Sequence, residues 1–159
     1  MIRVGAGHDS HRLVAGRPLI LGGVRIDHPR GLEGHSDADV VLHAVTDSLL
    51  SAAALGDIGD LFPDTDPANK DADSSRFLLE AHRLIRERGW RIGNLAVTIF
   101  AEEPKLGLIK STILSRIASL LKIADDAVSV QAKTGEGVGP VGRRESIECS
   151  AIVLIERDA

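Results

Sequence analysis

Asp9 and His11 stand two positions apart in RVGAGHDSHRL, residues 3–13, a stretch that reads as a strand. Side chains two apart on a strand share a face, so this carboxylate and imidazole point the same way while His8 and Ser10 point the other. Two metal ligands on one face begin a site without completing it. A third candidate is His43, inside the apolar run VVLHAV of a segment with helical period. Asp39, His43 and Asp47 recur every four residues and fall on one helical face. An unpaired imidazole is costly to bury there, and the two aspartates are placed to hold one ring nitrogen and free the other for a metal. Asp9, His11 and His43 then make a two-histidine, one-carboxylate set with one coordination position open, as catalytic zinc requires. Iron and manganese accept the same donors. The spacing also fits a plainer alternative, a polar pair in a hairpin beside a core histidine satisfied by its neighbours.

Three further stretches carry chemistry. GLEGHSDADV, residues 31–40, ends where a helix begins, and the free N–H groups of a helix start favour an anion. Ser36 or Asp37 serves there as a plain N-cap, and His35 beside it is placed to hold a phosphate or a charged transition state. DIGDLFPDTD, residues 57–66, gathers Asp57, Asp60, Asp64 and Asp66. Those carboxylates either accept hydrogen bonds from sugar or polyol hydroxyls or form a solvated turn. AKTGEGVG, residues 132–139, is similar to a phosphate-cradling loop but is not a Walker A motif, because its lysine precedes the glycines. Glu136 within it suits a magnesium ion bridging phosphate oxygens.

The elements that have to position these residues read as α+β. IRVGAGHDSHRL and RPLILGGVRI are expected as two strands of a hairpin turning at VAGRP. A helix follows from Asp37 to Leu55, then a long Gly-, Pro- and Asp-rich loop, and long loops in compact domains tend to be functional. SSRFLLEAHRLIRERG is a second helix stopped at Gly89, WRIGNLAVTIFAEEP a strand, and KLGLIKSTILSRIASLLKI a third helix opening after Pro104. AVSVQAKT and SIECSAIVLIER are the last strands. The pattern predicts a mixed sheet with helices packed on one face. Strands apolar on both faces, as in LAVTIF and SAIVLI, hint at a second subunit on the other.

Composition narrows the class. A chain of 159 residues, 43% hydrophobic and 26% charged, is expected to form one globular domain spanning 1–159. Only 3% of the residues are aromatic, which argues against a base-stacking surface. The formal charge of −4, with scattered basic residues, makes a nucleic-acid partner unexpected. Cys149 is the only cysteine and lies in an apolar run, so it reads as a buried thiol in a reducing compartment. With no apolar run near ~20 residues and no signal-peptide core, the expectation is a cytoplasmic protein without membrane attachment.

In order along essentially the whole chain, GHDSHRL, ILGGVRI, GLEGHSDADVVLHAVTDSLLSAAALGDIGDLFPDTDP, ADSSRFLLEA, GNLAVTIFAEEPK and QAKTGEGVGPVGRRESIECSA resemble the 2-C-methyl-D-erythritol 2,4-cyclodiphosphate synthase family. The stretch from Gly31 to Pro67 is the most specific. The resemblance implies a phosphorus–oxygen lyase of the non-mevalonate isoprenoid pathway. Such an enzyme cyclises 4-diphosphocytidyl-2-C-methyl-D-erythritol 2-phosphate to 2-C-methyl-D-erythritol 2,4-cyclodiphosphate and releases CMP. It further implies zinc on Asp9, His11 and His43, and magnesium or manganese at Glu136 bridging the substrate phosphates. His35 and Thr134 match positions that assist the transition state. Asp57, Ile58 and Gly59, with Phe62, Pro63, Asp64, Thr65 and Asp66, match the methylerythritol pocket, and Ser36 adjoins it. Ala101, Pro104, Lys105 and Leu106 match the segment holding the cytidine diphosphate. Lys133, Thr134, Gly135 and Glu136 match the loop at the phosphates, and Arg143 a further contact. A homotrimer around a sheet-lined axis, with active sites between subunits, is implied in the same way.

Both obstacles to such a cyclisation are electrostatic or entropic, because two anions have to meet while the substrate folds back on itself. No nucleophilic side chain is needed, in keeping with the lack of a convincing Ser or Cys triad. A zinc hydrolase, or a trimeric module that binds nucleotides without turnover, would share the same ligand set.

Overall fold

The computed structural model describes residues 1–158. Strand β1 runs over Ile2–Ala15 and pairs antiparallel with β7, Ser146–Glu156, for most of its length. On the far side of β7 lies β5, Arg91–Phe100, antiparallel to it, and β6, Val128–Lys133, closes that edge parallel to β5. The opposite edge is β4, Arg30–Leu32, antiparallel to the end of β1. The sheet order is therefore β4-β1-β7-β5-β6, a mixed sheet as expected.

The hairpin expected between residues 2–13 and 17–26 does not form. β1 has β7 and β4 as partners, and RPLILGGVRI is itself a small separate hairpin, β2 (Leu19–Leu21) with β3 (Val24–Ile26). Its turn is Gly22-Gly23, both at positive φ, the glycine pair that a two-residue hairpin turn demands. A long strand with its complement at the other end of the chain looks, in sequence, the same as one that turns back locally.

Alternation sorts the sheet into two faces. Ile147, Cys149, Ala151, Val153 and Ile155 of β7 are buried, and so are Leu95, Val97 and Ile99 opposite them on β5. Helix α1, Val40–Ala53, covers this face over β1 and β7, and α4, Lys110–Leu121, covers it beside β6. Helix α3, Ser75–Glu87, packs on both of those helices. Its expected stop at Gly89 is present: Trp90 N–H bonds the Ile85 carbonyl across a glycine at positive φ. The third helix begins at Lys110, five residues later than the sequence suggested, after a turn in which the Ile109 and Lys110 N–H groups bond the Leu106 carbonyl. The other face of the sheet is bare; Ile2, Val4 and Ile152 on it are each more than half exposed. Among the described residues, no helix is long and apolar enough to cross a membrane.

β1 and α1 approach closely because β1 carries Gly5 and Gly7 where it faces the helix. A β carbon at Gly7 would sit 2.0 Å from the Ala44 carbonyl oxygen, and one at Gly5 2.1 Å from that of Ser48. That approach brings the helix within imidazole reach of the strand.

Candidate active site

Helix α1 starts two or three residues later than Asp37 or Ser36 would place it: the N-cap is Asp39, which accepts from the Val41 and Leu42 N–H groups. Asp39 also accepts from Gly22 and Gly23, so it stitches the small hairpin to the helix. One turn on, His43 points from α1 toward β1, where Asp9 and His11 share the covered face. The three converge. Asp9 Oδ2 lies 2.9 Å from His11 Nε2 and 3.0 Å from His43 Nδ1. The two ring nitrogens are 3.2 Å apart.

The donor set fits a cation. Four ligands about a tetrahedral zinc with bonds of about 2.0–2.1 Å stand roughly 3.3 Å from one another. His11 Nδ1 is 2.8 Å from the Glu33 carbonyl, which can only accept, so Nδ1 carries the proton and Nε2 turns its lone pair inward. Two inward imidazole nitrogens beside a carboxylate oxygen repel unless something positive lies among them. Burial alone would raise Asp9, but the hydrogen bonds and charge of His11 and His43 outweigh it and hold the carboxyl well below the usual range. Burial likewise works to lower His11, and the bond to Asp9 overrides it and raises the imidazole. Asp9, His11 and His43 are thus able to hold a metal ion, with their donor atoms all within 4.8 Å.

The side chains that hold His43 are not the two aspartates on its helical face. Asp39 is spent on the cap and the hairpin, and Asp47 Oδ1 accepts the Ile58 N–H at 2.7 Å. His43 Nε2 instead lies 2.7 Å from Ser74 Oγ and 3.2 Å from Ser36 Oγ. Ser74 was invisible in the sequence as a site residue. Its only signal was the S-S pair opening α3, where a serine is expected to cap; Ser74 occupies the N-cap and makes no side-chain cap bond.

Ser36 is 6% exposed, its hydroxyl packed between His43 and Ser74. His35 next to it holds the Asp66 carbonyl through Nε2 at 3.2 Å. Segment 57–66 carries a short helix α2, Ile58–Leu61, with an Asp57–Asp60 capping box, so Asp57 Oδ1 receives the Asp60 N–H. Asp66 caps the following 3₁₀ turn through Ala68 N–H. Three of the four aspartates, Asp57, Asp60 and Asp66, are therefore used in caps. Phe62 stacks on Phe77, ring centroids 4.5 Å apart, and Phe77 in turn flanks His43 at 6.1 Å.

The remaining expected residues assemble elsewhere. Ala101, Lys105 and Leu106 line a cleft of about 310 Å³ with Lys133 and Thr134, and Lys110 joins them. Glu102 accepts the Gly135 N–H at 2.9 Å, tying the two loops together. Glu136 is held at a φ of +52°, a conformation a non-glycine residue seldom adopts, with its N–H 3.3 Å from Thr134 Oγ1. Arg143, just past the short helix α5 (Gly139–Gly142), pairs with Glu145 at 3.0 Å. Ser10, Glu148, Phe100 and Lys133 stand in line across β1, β7, β5 and β6. Three strand spacings of about 4.8 Å put the lysine cleft roughly 14 Å from the metal cluster. Within one chain, the two groups of residues are not brought together.

The YgbB family model matches residues 2–156. The 2-C-methyl-D-erythritol 2,4-cyclodiphosphate synthase of Synechococcus elongatus is 51% identical over 156 residues, 98% of each chain. A solved 2C-methyl-D-erythritol-2,4-cyclodiphosphate synthase in a CDP-bound form superposes with a TM-score of 0.90 at 41% identity, covering 97% of this chain and all of that one. The bifunctional IspDF of Campylobacter jejuni superposes with a TM-score of 0.95 at 39% identity, covering 99% of this chain but 43% of that longer one. Likeness of this extent, over a fold whose helix and strand deliver three metal-ligating side chains to one point, means that the chain belongs to the YgbB family, that of the 2-C-methyl-D-erythritol 2,4-cyclodiphosphate synthases.

Proposed function

We propose that this chain cyclises 4-diphosphocytidyl-2-C-methyl-D-erythritol 2-phosphate to 2-C-methyl-D-erythritol 2,4-cyclodiphosphate and releases CMP, as a step of isoprenoid synthesis in the cytoplasm. The observation that carries the reading is the convergence of Asp9, His11 and His43 at mutual contacts near 3 Å, in a chain about half identical to named synthases. In this reading zinc occupies that cluster and magnesium or manganese binds at Glu136; when bound, the two cations supply positive charge to the phosphate oxygens.

The chain's own residues do the rest. Lys105, Lys110 and Lys133 line one cleft and neutralise the nucleotide's diphosphate, with Ala101 and Leu106 in the same lining and Pro104, next to Lys105 in the chain, toward the cytidine. Thr134 lines that cleft and its hydroxyl donates to the departing phosphate, while Gly135, its N–H held by Glu102, fixes the loop beside it. Asp57 keeps Oδ2 for a hydroxyl of the methylerythritol, since only Oδ1 is spent on the cap. Ile58, Gly59, Phe62, Pro63, Asp64, Thr65 and Asp66 wall that part, and His35 and Ser36 stand at its rim. Arg143 is an additional contact for phosphate. All of these act by positioning and by neutralising charge as the 2-phosphate oxygen attacks the β-phosphorus.

A substrate whose two ends need groups roughly 14 Å apart asks for a second chain. The bare sheet face, with Ile2, Val4 and Ile152 more than half exposed, fits a homotrimer packed face to face around an axis. One subunit then contributes the metal cluster and its neighbour the lysine cleft. The test is to incubate the purified protein with the substrate, zinc and magnesium, and to follow products by phosphorus NMR. CMP with a cyclic diphosphate is expected. Free phosphate, or binding without turnover, would reject the proposal.

A further inference from the structure

Ser74 sits at the N-cap of α3 without capping it, and what its hydroxyl does instead bears on the metal cluster. A histidine that binds a metal through Nδ1 has to carry its proton on Nε2. For His11 the equivalent choice is made by a carbonyl, which can only accept. His43 faces hydroxyls, and a hydroxyl can donate or accept. Ser36 Oγ, 3.2 Å from Nε2, would be free to donate to it, which would drive the proton onto Nδ1 and close the cluster to a metal. Something has to fix the direction.

Asp37 supplies it. Its carboxylate accepts a short hydrogen bond from Ser74 Oγ, and it also accepts the backbone N–H groups of Ser74 and Asp39, each at 3.0 Å. With Asp37 unable to donate, the Ser74 hydroxyl proton points at Asp37, and the Ser74 oxygen is left to accept from His43 Nε2–H at 2.7 Å. The geometry points to an Asp37–Ser74 relay that locks His43 in the Nε2–H tautomer and so aims Nδ1 at the cation; Asp37 and Ser74 are positioning residues. The inference rests on the metal reading of Asp9, His11 and His43. It extends that reading to two residues that touch neither metal nor substrate.

The relay predicts an asymmetry that mere packing does not. In Asp37→Asn the amide nitrogen has to face the backbone N–H of either Asp39 or Ser74, so the group that orients the Ser74 hydroxyl no longer accepts through both atoms, and this near-isosteric change should weaken zinc binding as removing the hydroxyl does. Zinc affinity is measured on metal-stripped protein by competition with a chromophoric chelator. Ser74→Ala and Asp37→Asn should each bind zinc 10- to 100-fold more weakly, while Ser74→Thr, which keeps the hydroxyl, stays within a few-fold. Thermal melting of the metal-free variants guards against a folding defect; Ser74→Ala loses no capping bond. In the zinc-loaded protein, the His43 Nε2–H proton should exchange slowly by NMR and quickly in Ser74→Ala. If the unsubstituted chain binds no zinc, the metal reading fails and the relay with it. If it binds zinc while both Asp37→Asn and Ser74→Ala match it within twofold, the relay alone falls.

Discussion

The metal cluster and the lysine cleft sit at the same end of one sheet, yet they are built in opposite ways. The cluster is carried by the middle of β1 and the second turn of α1, pressed together where glycines let the strand meet the helix backbone. Each imidazole is held by a second contact, His11 to Glu33 and His43 to Ser74. The cleft is carried by two loops after β5 and β6, joined by bonds from Gly135 to Glu102 and from Ala101 to Lys133, and its Glu136 is exposed and in a left-handed conformation. A group that has to meet a metal within tenths of an ångström belongs on rigid elements; groups that have to follow a flexible diphosphate belong on loops.

That contrast orders the ways to break it. Replacing His43 by alanine removes a ligand that nothing nearby can substitute. We expect loss of the bound zinc, a fall in CMP release of ~10³-fold or more, and a fold preserved by far-ultraviolet circular dichroism. Normal zinc content with normal turnover would dissolve the cluster as a site. Glu136→Ala attacks the loop half and should leave zinc content unchanged. The rate should drop by about 10²-fold, and the magnesium concentration needed for half-maximal activity should rise. An unaltered magnesium titration would take Glu136 out of the reaction.

The same two variants test whether the halves belong to different chains. Mixed, unfolded together and reassembled, they would pair an intact cluster with an intact loop at about a quarter of random interfaces. Activity should return to roughly that fraction of wild type. If each subunit completes its own site, the mixture stays as inactive as its parts.

Legibility in the sequence divided along the same line. Asp9 and His11 were readable because strand period puts them on one face, and His43 because an imidazole in an apolar helical run demands a partner. What held His43 was not readable. Asp39 and Asp47 share its helical face, but local backbone N–H groups compete for those carboxylates and win, while Ser74 comes from another helix 31 residues away. Long-range register was likewise hidden, since β1 finds β7 across nearly the whole chain rather than the hairpin next to it. Of the cleft, the glycine-rich loop at 132–139 was legible as a phosphate cradle with Glu136 in it, and the segment at Ala101–Leu106 only through family resemblance. Loop backbones such as the one that turns Glu136 outward follow no period, and Lys110 entered the cleft simply as the first residue of a helix.

The smallest effect concerns what the rigid half costs to build. Asp39 is fully buried at the start of the helix that carries His43, and four backbone N–H groups point at its carboxylate. Burial nevertheless outweighs them, and Asp37 close by adds to the rise, so the carboxyl is pushed up from 3.8 to about 6. Between those values the folded chain holds a proton that the unfolded chain has released. The contribution of Asp39 to stability therefore grows as pH falls from 7 toward 4, at about 1.4 kcal/mol per pH unit below the folded value. Asp39→Asn has no such charge to lose, and its amide nitrogen would face the Gly23 N–H, at a cost of about 1–3 kcal/mol. Urea unfolding of metal-stripped protein, where proton competition for the metal cannot intrude, should show the gap between wild type and Asp39→Asn widening by about 1–2 kcal/mol between pH 7 and pH 4.5. A gap that stays constant would mean that the four N–H donors fully offset burial, so that the helix start carries an ordinary ionised carboxylate.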